Sequence, residues 1–235
     1  MENNKEKLLE KIVLELADKK YPVDLDFMKA SRQVFSKYKL TPVPKSELIK
    51  VYRRLTKEGK LKSDKRFTQL LVKRAVRSLS GVSVITVLSK PFVCPGKCVY
   101  CPTEPDMPKS YLSNEPAAAR AKINLFSPIR QVTMRIKALE NNGHLVDKLE
   151  VLVLGGTWSV YPSKYQDDFI RDLFFAANTY GEDKKRDPLT LEEEQAINET
   201  TKYKIIGLTL ETRPDYINET EIKKLRRLGT TRVQI

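Results

Sequence analysis

The chain has 235 residues, 40% of them hydrophobic and 31% charged, so it is long enough for one large domain or two smaller ones. No apolar run approaches the roughly 18 residues that a membrane-spanning helix needs, and the N-terminal residues lack the apolar core of a signal peptide. We therefore expect a cytoplasmic protein that does not bind membranes.

The positive charge is concentrated at the N-terminal end. Residues 1–80 hold 21 Lys and Arg against 10 Asp and Glu, a net charge of +11 out of +13 for the whole chain. Residues 81–235 hold 22 basic and 20 acidic side chains. A basic segment ahead of a near-neutral one indicates a nucleic-acid-binding region (1–80) joined to a catalytic body (81–235). The alternative is that the lysines only solvate surface helices.

Hydrophobic residues recur at helical spacing three times before residue 60. The periodicity predicts helices at 5–20 and 24–38, and a third at 44–59, where Pro44 favours the first turn and Gly59 the stop. The following segment, 60–77, is rich in Lys and Arg, which suits contacts with phosphate or an exposed linker.

From residue 82 onward, short β-branched apolar runs alternate with helical patterns. Strands are predicted at 82–88, 148–154, 205–210 and 231–235. Helices are predicted between and after them at 128–142, 163–180, 189–201 and 218–228, and a Pro-rich loop at 102–116. Such alternation is typical of parallel strands joined by right-handed crossovers, so we predict an α/β core with about four parallel strands.

The last predicted strand has neither a covering helix nor a further strand beside it. Proteins seldom leave an apolar strand edge bare, because it invites pairing with other chains. We therefore expect the chain to be a fragment, a split gene product or one half of a complex that a second polypeptide completes.

All three cysteines lie just after the first predicted strand. Cys94, Cys98 and Cys101 have the spacing C-x3-C-x2-C on a turn of Pro and Gly, which suits a soft metal centre. A disulfide framework fits poorly because three is odd, and structural zinc needs a fourth ligand, whereas the only histidine, His144, is distant in sequence. Three cysteines on a [4Fe–4S] cluster leave one iron open to a ligand, as in radical S-adenosylmethionine enzymes. A chance cluster or a partial zinc knuckle is the alternative.

Glycines and charged residues follow the second and third predicted strands, at the edge where ligands of parallel sheets bind. Gly155-Gly156-Thr157 allows a small polar ligand to approach the backbone, although a tight turn explains the two glycines equally well. Glu211 can accept from ribose hydroxyls and Arg213 can pair with a carboxylate. The alternative is that these two side chains pair with each other.

The sequence resembles a known family, the catalytic subunit of Elongator and its single-chain archaeal and bacterial relatives, from about residue 70 to the last residue. The matching phrases are Ser80-Gly-Val-Ser-Val, Lys90-Pro-Phe, Cys98-Val-Tyr-Cys-Pro102, Ser110-Tyr111, Glu115-Pro116, Arg120-Ala121, Gly143-His-Leu-Val-Asp-Lys148, Gly155-Gly-Thr157, Asp168-Phe-Ile-Arg171 and Glu211-Thr-Arg-Pro-Asp215. These proteins are radical S-adenosylmethionine tRNA uridine(34) acetyltransferases, acyltransferases that modify the wobble uridine at C5 towards carboxymethyl derivatives.

The resemblance implies a partial radical S-adenosylmethionine (β/α) TIM-like barrel behind a small basic helical domain. In this family Cys94, Cys98 and Cys101 would ligate the [4Fe–4S] cluster, and an external donor would supply its electron. The residues near S-adenosylmethionine would be Tyr100, Gly155, Gly156, Thr157, Glu211 and Arg213, although a packing role suits Tyr100 nearly as well. Lys148 matches a lysine associated with acetyl-CoA, and residues 1–80 would hold the anticodon arm of tRNA. No catalytic residue is assigned.

Two departures from the family pattern qualify this expectation. The first cysteine spacing is shorter than usual in the family, although it is the standard one of radical S-adenosylmethionine enzymes. The chain also lacks the rest of the barrel and the acetyltransferase domain, which would bind most of the acetyl-CoA, so we expect the isolated chain to be inactive or partial. The alternative function is a non-catalytic tRNA-binding module whose cluster site is vestigial or structural.

Overall fold

The computed structural model describes residues 2–73, 78, 80–182 and 186–235. The helices are α1 (Glu2–Ala17), α2 (Asp24–Lys37), α3 (Lys45–Lys57), α4 (Lys65–Leu71), α5 (Pro116–Ile123), α6 (Pro128–Asn141), α7 (Ser163–Thr179), α8 (Leu191–Asn198) and α9 (Glu219–Arg227). The strands are β1 (Ser83–Leu88), β2 (Lys148–Leu154), β3 (Lys204–Glu211) and β4 (Arg232–Gln234). Short 3₁₀ turns lie at Trp158–Val160 and Pro214–Tyr216.

The chain folds as two compact units. One comprises residues 1–79 and 138–145, and the other comprises residues 80–137 and 146–235. Over the ranges that the structure describes, no helix is both long enough and apolar enough to span a bilayer.

The first unit is helical, and aromatic side chains link its elements. Tyr21 and Phe27 pack edge to face with ring centroids 5.3 Å apart, and Phe67 packs against both Phe27 (5.9 Å) and Tyr52 (5.1 Å). All four side chains are buried. Edge-to-face pairs add specific geometry to ordinary apolar burial, so Phe67 joins the segment after residue 60 to the core of the helices before it.

The prediction of a connector or linker at residues 60–77 is wrong for its middle part, where α4 forms. The Asp64 carboxylate caps this helix by accepting from the Phe67 N–H at 2.7 Å. Phe67, Leu70 and Leu71 are buried, and their spacing places them on one helix face. The many basic residues of this segment conceal that short apolar pattern, and residues 74–77 lie outside the described residues.

The four strands form one parallel sheet in the order β1-β2-β3-β4, so each strand pairs with the next along the chain. Strictly sequential parallel strands are the arrangement of (β/α) barrels, whereas a doubly wound sheet reverses its strand order. The predicted α/β fold, with about four parallel strands behind a helical region, is confirmed.

Two helices hold the carboxyl end of β1, where the cysteine loop begins. Ala118 and Ala121 of α5 pack in one buried cluster with Leu88. Gln131 of α6 is only 2% exposed; its Oε1 accepts from the Leu88 N–H and its Nε2 donates to the Leu88 carbonyl, both at 2.9 Å. This side chain satisfies two backbone groups on the unpaired edge of the sheet. Helix α5 is not predicted by periodicity because its buried residues are alanines, although Pro116 at its first turn is a starting signal.

We predict that Gln131→Met destabilises the protein by about 2–4 kcal/mol, because a buried donor and a buried acceptor of Leu88 lose their partners while side-chain volume is nearly kept. The free energy of unfolding in urea measures the effect. Gln69→Met, at an exposed glutamine of α4, is the matched control and should change stability by under about 0.5 kcal/mol. Equal values for the two variants would contradict the bridging role.

Candidate cofactor site

The register of the sheet brings three loops together at the carboxyl ends of the strands. Leu88 at the end of β1 pairs with Leu154 of β2, and Val153 of β2 pairs with Leu210 of β3. The cysteine loop, the Gly155-Gly156-Thr157 turn and the residues from Glu211 onward therefore leave the sheet side by side.

The three cysteines lie on a loop without regular secondary structure, and none forms a disulfide. Each is partly buried, and hydroxyl groups of the chain contact two of the sulfurs. Cys94 Sγ lies 3.5 Å from Thr157 Oγ1, and Ser110 Oγ donates to Cys101 Sγ at 2.9 Å. The loop is thus tied to the turn after β2 and to the segment before Tyr111.

The donor set fits a thiolate-bound group, but the sulfurs have not converged. Three free thiols on one loop at the ligand-binding edge of a parallel sheet are suitable ligands for an iron–sulfur cluster. Within the described ranges, no three His, Cys, Asp or Glu side chains stand close enough together to hold a metal ion. Binding a cluster therefore requires the loop to close until all three sulfurs face one point.

Arg213 connects the turn after β3 to the cysteine loop. Its Nε and Nη2 donate to the two carboxylate oxygens of Asp215 at 2.9 and 2.8 Å, a bidentate geometry. Its Nη1 occupies the place where a Cβ on Gly96 would stand, so the guanidinium packs directly on the Gly96 backbone. The Asp215 hydrogen bond is the main cause that raises the pKa of Arg213, and the thiols of Cys98 and Cys94 contribute. Arg213 pairs with Asp215, so the alternative of a Glu211–Arg213 pair is wrong.

Glu211 is held by groups that the sequence alone does not connect to it. Its Oε2 accepts from the backbone N–H of Gly155 at 3.1 Å and of Gly156 at 3.4 Å, and from the Tyr111 hydroxyl at 2.7 Å. Both glycines have positive φ, 140° and 92°, which aims two successive N–H groups at one carboxylate. In this conformation Glu211 accepts from both N–H groups, so these groups face a carboxylate of the chain itself.

Aromatic side chains pack behind the cysteine loop. Tyr161 stacks on Phe92 with ring centroids 4.8 Å apart and on Tyr165 at 5.0 Å. The Tyr161 hydroxyl donates to the Lys90 carbonyl at 2.7 Å and lies 2.9 Å from Ser89 Oγ. Burial, with smaller contributions from Cys94 and Glu211, raises the pKa of Tyr161 to about 12. Tyr161 therefore stays neutral at physiological pH and anchors the first residues of the loop.

One predicted site residue, Lys148, lies apart from this cluster. Lys148 is exposed at the first position of β2, where it pairs with Lys204 at the start of β3. It therefore lies at the amino ends of the strands, whereas Gly155 follows the carboxyl end of β2. Tyr100 lies on the cysteine loop with its side chain 86% exposed, and the neighbouring Cys98 raises the pKa of its phenol. The structure thus groups Gly155, Gly156, Thr157, Glu211 and Arg213 with the cysteine loop, and leaves Lys148 outside.

The structure adds residues that the sequence analysis did not select as site residues. They are Ser89, Ser110, Tyr111, Tyr161 and Thr212, whose Oγ1 lies 2.7 Å from Ser159 Oγ. Tyr111 and Ser110 belong to a phrase on which the resemblance rests, which was a usable signal. Tyr161 had no such signal, because it belongs to none of the phrases on which the resemblance rests.

Sequence comparisons relate the chain to curated proteins of one kind. The tRNA uridine(34) acetyltransferase of Methanocaldococcus infernus is 38% identical over 206 residues, which cover 81% of this chain and 38% of that protein. The protein of the same name from Dehalococcoides mccartyi is 39% identical over 164 residues, covering 70% and 34%. Elongator complex protein 3 of Drosophila melanogaster is 33% identical over 234 residues, covering 95% and 40%. The chain thus spans between a third and two fifths of the length of these relatives.

Among solved structures, an N-terminally deleted archaeal Elp3 of Methanocaldococcus infernus matches with a TM-score of 0.49 and 34% identity, over 65% of this chain and 28% of that one. No protein-family model matches the chain.

We predict that Gly96→Ala destabilises the protein slightly, because the new methyl group displaces the flexible end of the Arg213 side chain from the loop and disturbs its pair with Asp215. The same substitution in an Arg213→Ala background should cost almost nothing, since the clashing group is gone. Urea unfolding of the four proteins measures the interaction. Equal costs in both backgrounds would show that Arg213 does not pack on Gly96.

Proposed function

Because the chain belongs to the family of the tRNA uridine(34) acetyltransferases and Elongator complex protein 3, we propose that it is the cluster-bearing part of such an enzyme. In this proposal it binds a [4Fe–4S] cluster, S-adenosylmethionine and tRNA, and acts in the modification of the wobble uridine at C5. The observation that carries the proposal is the contact of the cysteine loop with Thr157 and with Arg213 at one sheet edge.

The cluster ligands of this proposal are Cys94, Cys98 and Cys101. Their support is the shared loop, the free thiols and the loop's position at the carboxyl ends of parallel strands. A cluster on three cysteines keeps one iron available for S-adenosylmethionine. The cluster and S-adenosylmethionine together supply radical chemistry when both are bound. An external donor would reduce the cluster. Free thiols also suit a reducing compartment such as the cytoplasm, where we propose that the protein works.

The chain's own residues prepare the edge for that group. Asp215 fixes the Arg213 guanidinium on the Gly96 backbone, which places a positive charge beside thiols that would become anionic ligands. Tyr161 and Ser89 hold the start of the loop, and Tyr111 with the two glycines holds Glu211. These contacts support an S-adenosylmethionine site formed by Gly155, Gly156, Thr157, Glu211 and Arg213.

Acetyl-CoA has less support within this chain. Lys148 lies at the amino end of β2, whereas the cysteine loop follows the carboxyl end of β1. Lys148 is therefore not placed to contact a molecule bound among the residues around Glu211. We propose that acetyl-CoA is bound mostly by an acetyltransferase domain on another polypeptide, with Lys148 as a contact at the amino end of β2.

The helical unit supplies the proposed tRNA surface. Several of its basic side chains are neutralised by ion pairs, such as Lys37 with Glu15 and Arg66 with Asp24, both at 2.8 Å. Others are exposed and form no ion pair with another described residue; they include Lys7, Lys11, Lys29, Arg32, Lys39 and Lys50. Unpaired exposed cations are the groups that neutralise phosphates on binding nucleic acid.

The free edge of β4 supports a partner polypeptide. Val233 is 38% and Ile235 is 77% exposed, and with Ile222 of α9 they line an apolar groove of about 400 Å³. The curated relatives are more than twice as long as the part they share with this chain. We propose that the occupant is a second polypeptide carrying the remaining strands and the acetyltransferase domain, and that its first strand pairs with β4.

The alternative is a non-catalytic tRNA-binding module whose cluster site is vestigial or structural. Binding of tRNA by a chain that takes up no iron under reducing, anaerobic conditions would favour this alternative over the enzyme part.

We predict that the anaerobically reconstituted chain binds about four iron and four sulfide ions, and that Cys94→Ala, Cys98→Ala and Cys101→Ala each lose most of them. Chemical analysis of iron and sulfide, with the visible absorption of the cluster, measures the result. Thr103→Ala, at an exposed residue beside the loop, should keep the wild-type content. Iron content that is unaffected by all three cysteine changes would contradict the assignment.

We predict that the double variant Lys29→Gln, Arg32→Gln weakens tRNA binding and lowers the slope of log Kd against log salt concentration by about 1–2. The reason is that two neighbouring cations on α2 no longer displace counterions from the tRNA phosphates. Fluorescence anisotropy with labelled tRNA at several salt concentrations measures the slope. Lys164→Gln with Lys223→Gln, two cations already paired with Asp168 and Glu219, should leave the slope unchanged. The same slope for both double variants would contradict a tRNA surface on α2.

We predict that the chain copurifies with a polypeptide made of the remaining C-terminal part of the Dehalococcoides mccartyi relative, and that Val233→Asp abolishes this by placing a charge in the groove. Size-exclusion chromatography of the co-expressed pair measures it. Ile123→Asp, at an apolar residue that is 72% exposed on α5, is the control and should keep the complex. A complex insensitive to Val233→Asp would place the contact elsewhere.

A further inference from the structure

The carboxylate of Glu211 is bound asymmetrically by the protein. One oxygen, Oε2, accepts from the Gly155 N–H (3.1 Å), the Gly156 N–H (3.4 Å) and the Tyr111 hydroxyl (2.7 Å). Three donors around one oxygen leave it little capacity for a fourth. Among the residues that the structure describes, none donates to the other oxygen, Oε1.

Tyr111 acts only as a donor in this arrangement. Burial, followed by the charge of Glu211 and the hydrogen bond to it, raises the pKa of the Tyr111 phenol far above its ordinary value. The phenol therefore keeps its proton at any physiological pH. A hydrogen bond from a neutral donor to a carboxylate is stronger than one between neutral groups, so Tyr111 restrains the rotation of the Glu211 side chain.

The site also explains why the chain has two glycines after β2. The positive φ angles of Gly155 and Gly156 turn their N–H groups towards Glu211, and a side chain at either position would be strained. Oε1 lies on a side chain that is only partly buried, at the sheet edge shared with the cysteine loop. A charged acceptor fixed through its other oxygen is suited to orienting a ligand.

We propose that Tyr111 is a positioning residue: together with the Gly155 and Gly156 amides it holds Glu211 so that Oε1 accepts a hydrogen bond from a donor group of the bound ligand. The ligand chemistry is a hydroxyl or an ammonium, and S-adenosylmethionine carries both. This inference rests on the proposed function for the choice of ligand, while the cradle around Glu211 rests on the contacts alone.

The test compares S-adenosylmethionine binding by the anaerobically reconstituted chain and its variants, using equilibrium dialysis. Glu211→Gln should weaken binding about ten- to hundredfold, because an NH₂ group replaces the free acceptor. Tyr111→Phe keeps the ring, removes the donor and should weaken binding about tenfold. The double variant should bind like Glu211→Gln within about twofold, since Tyr111 acts through Glu211.

Tyr216→Phe is the matched control, because it removes a hydroxyl close in sequence to Glu211 for which the described structure records no hydrogen bond; binding should not change. Thermal unfolding checks that each variant is folded. If Tyr111→Phe fails to fold, Glu211→Asp tests the same cradle, since the shorter side chain cannot reach both glycine amides and keep Oε1 in place. Amide NMR shifts of Gly155 and Gly156 should change in each variant of Tyr111 or Glu211 even without ligand.

Competition by fragments identifies the donor group. If adenosine displaces S-adenosylmethionine and 2′,3′-dideoxyadenosine does not, the ribose hydroxyls are the donors to Glu211. If L-methionine displaces it, the ammonium group is the donor. If Tyr111→Phe weakens S-adenosylmethionine binding by the same factor in the wild-type and the Glu211→Gln backgrounds, the positioning role is overturned. Unchanged binding by the Tyr111→Phe variant would overturn it too. No binding of any probe by the wild-type chain would overturn the ligand part, whereas iron and tRNA binding by the same preparation would leave the proposed function standing.

Discussion

The site depends on one geometric constraint, the parallel pairing of β1, β2 and β3. Leu88 lies opposite Leu154, and Val153 lies opposite Leu210, so three segments far apart in sequence leave the sheet at one edge. An antiparallel partner would send every second loop to the other edge. The cysteines, the two glycines and Glu211 can therefore contact one another only because each crossover returns the chain in the same direction.

Buried polar contacts then fix the ends of those strands. Gln131 bridges both backbone groups of Leu88, and Tyr111 with the two glycine amides saturates one oxygen of Glu211. Such groups are costly when unpaired and directional when paired, so they define positions more sharply than apolar packing does. The cysteine loop itself has few such contacts, which include Cys94 with Thr157 and Cys101 with Ser110.

The two units divide the chemistry of the protein between them. Exposed cations without ion-pair partners are concentrated on the helical unit, whereas the α/β unit carries the thiols and the polar groups at the strand ends. A long-range electrostatic attraction for nucleic acid needs only net charge and exposure. A cofactor site needs groups placed to within a fraction of an ångström. The first property can be read from a segment's composition, and the second cannot.

The amino-acid sequence by itself determined the α/β class, the parallel strands to within a residue or two, and the candidate residues Cys94, Cys98 and Cys101, because strand periodicity and cysteine spacing are local patterns. It did not reveal α4, where charged residues surround three apolar ones, or α5, whose buried face is alanine. Only the tertiary structure decided that Arg213 pairs with Asp215 instead of Glu211, that Glu211 occupies the glycine amides, and that Lys148 lies at the amino ends of the strands. Those outcomes depend on which strand ends become neighbours, and no local pattern contains that information.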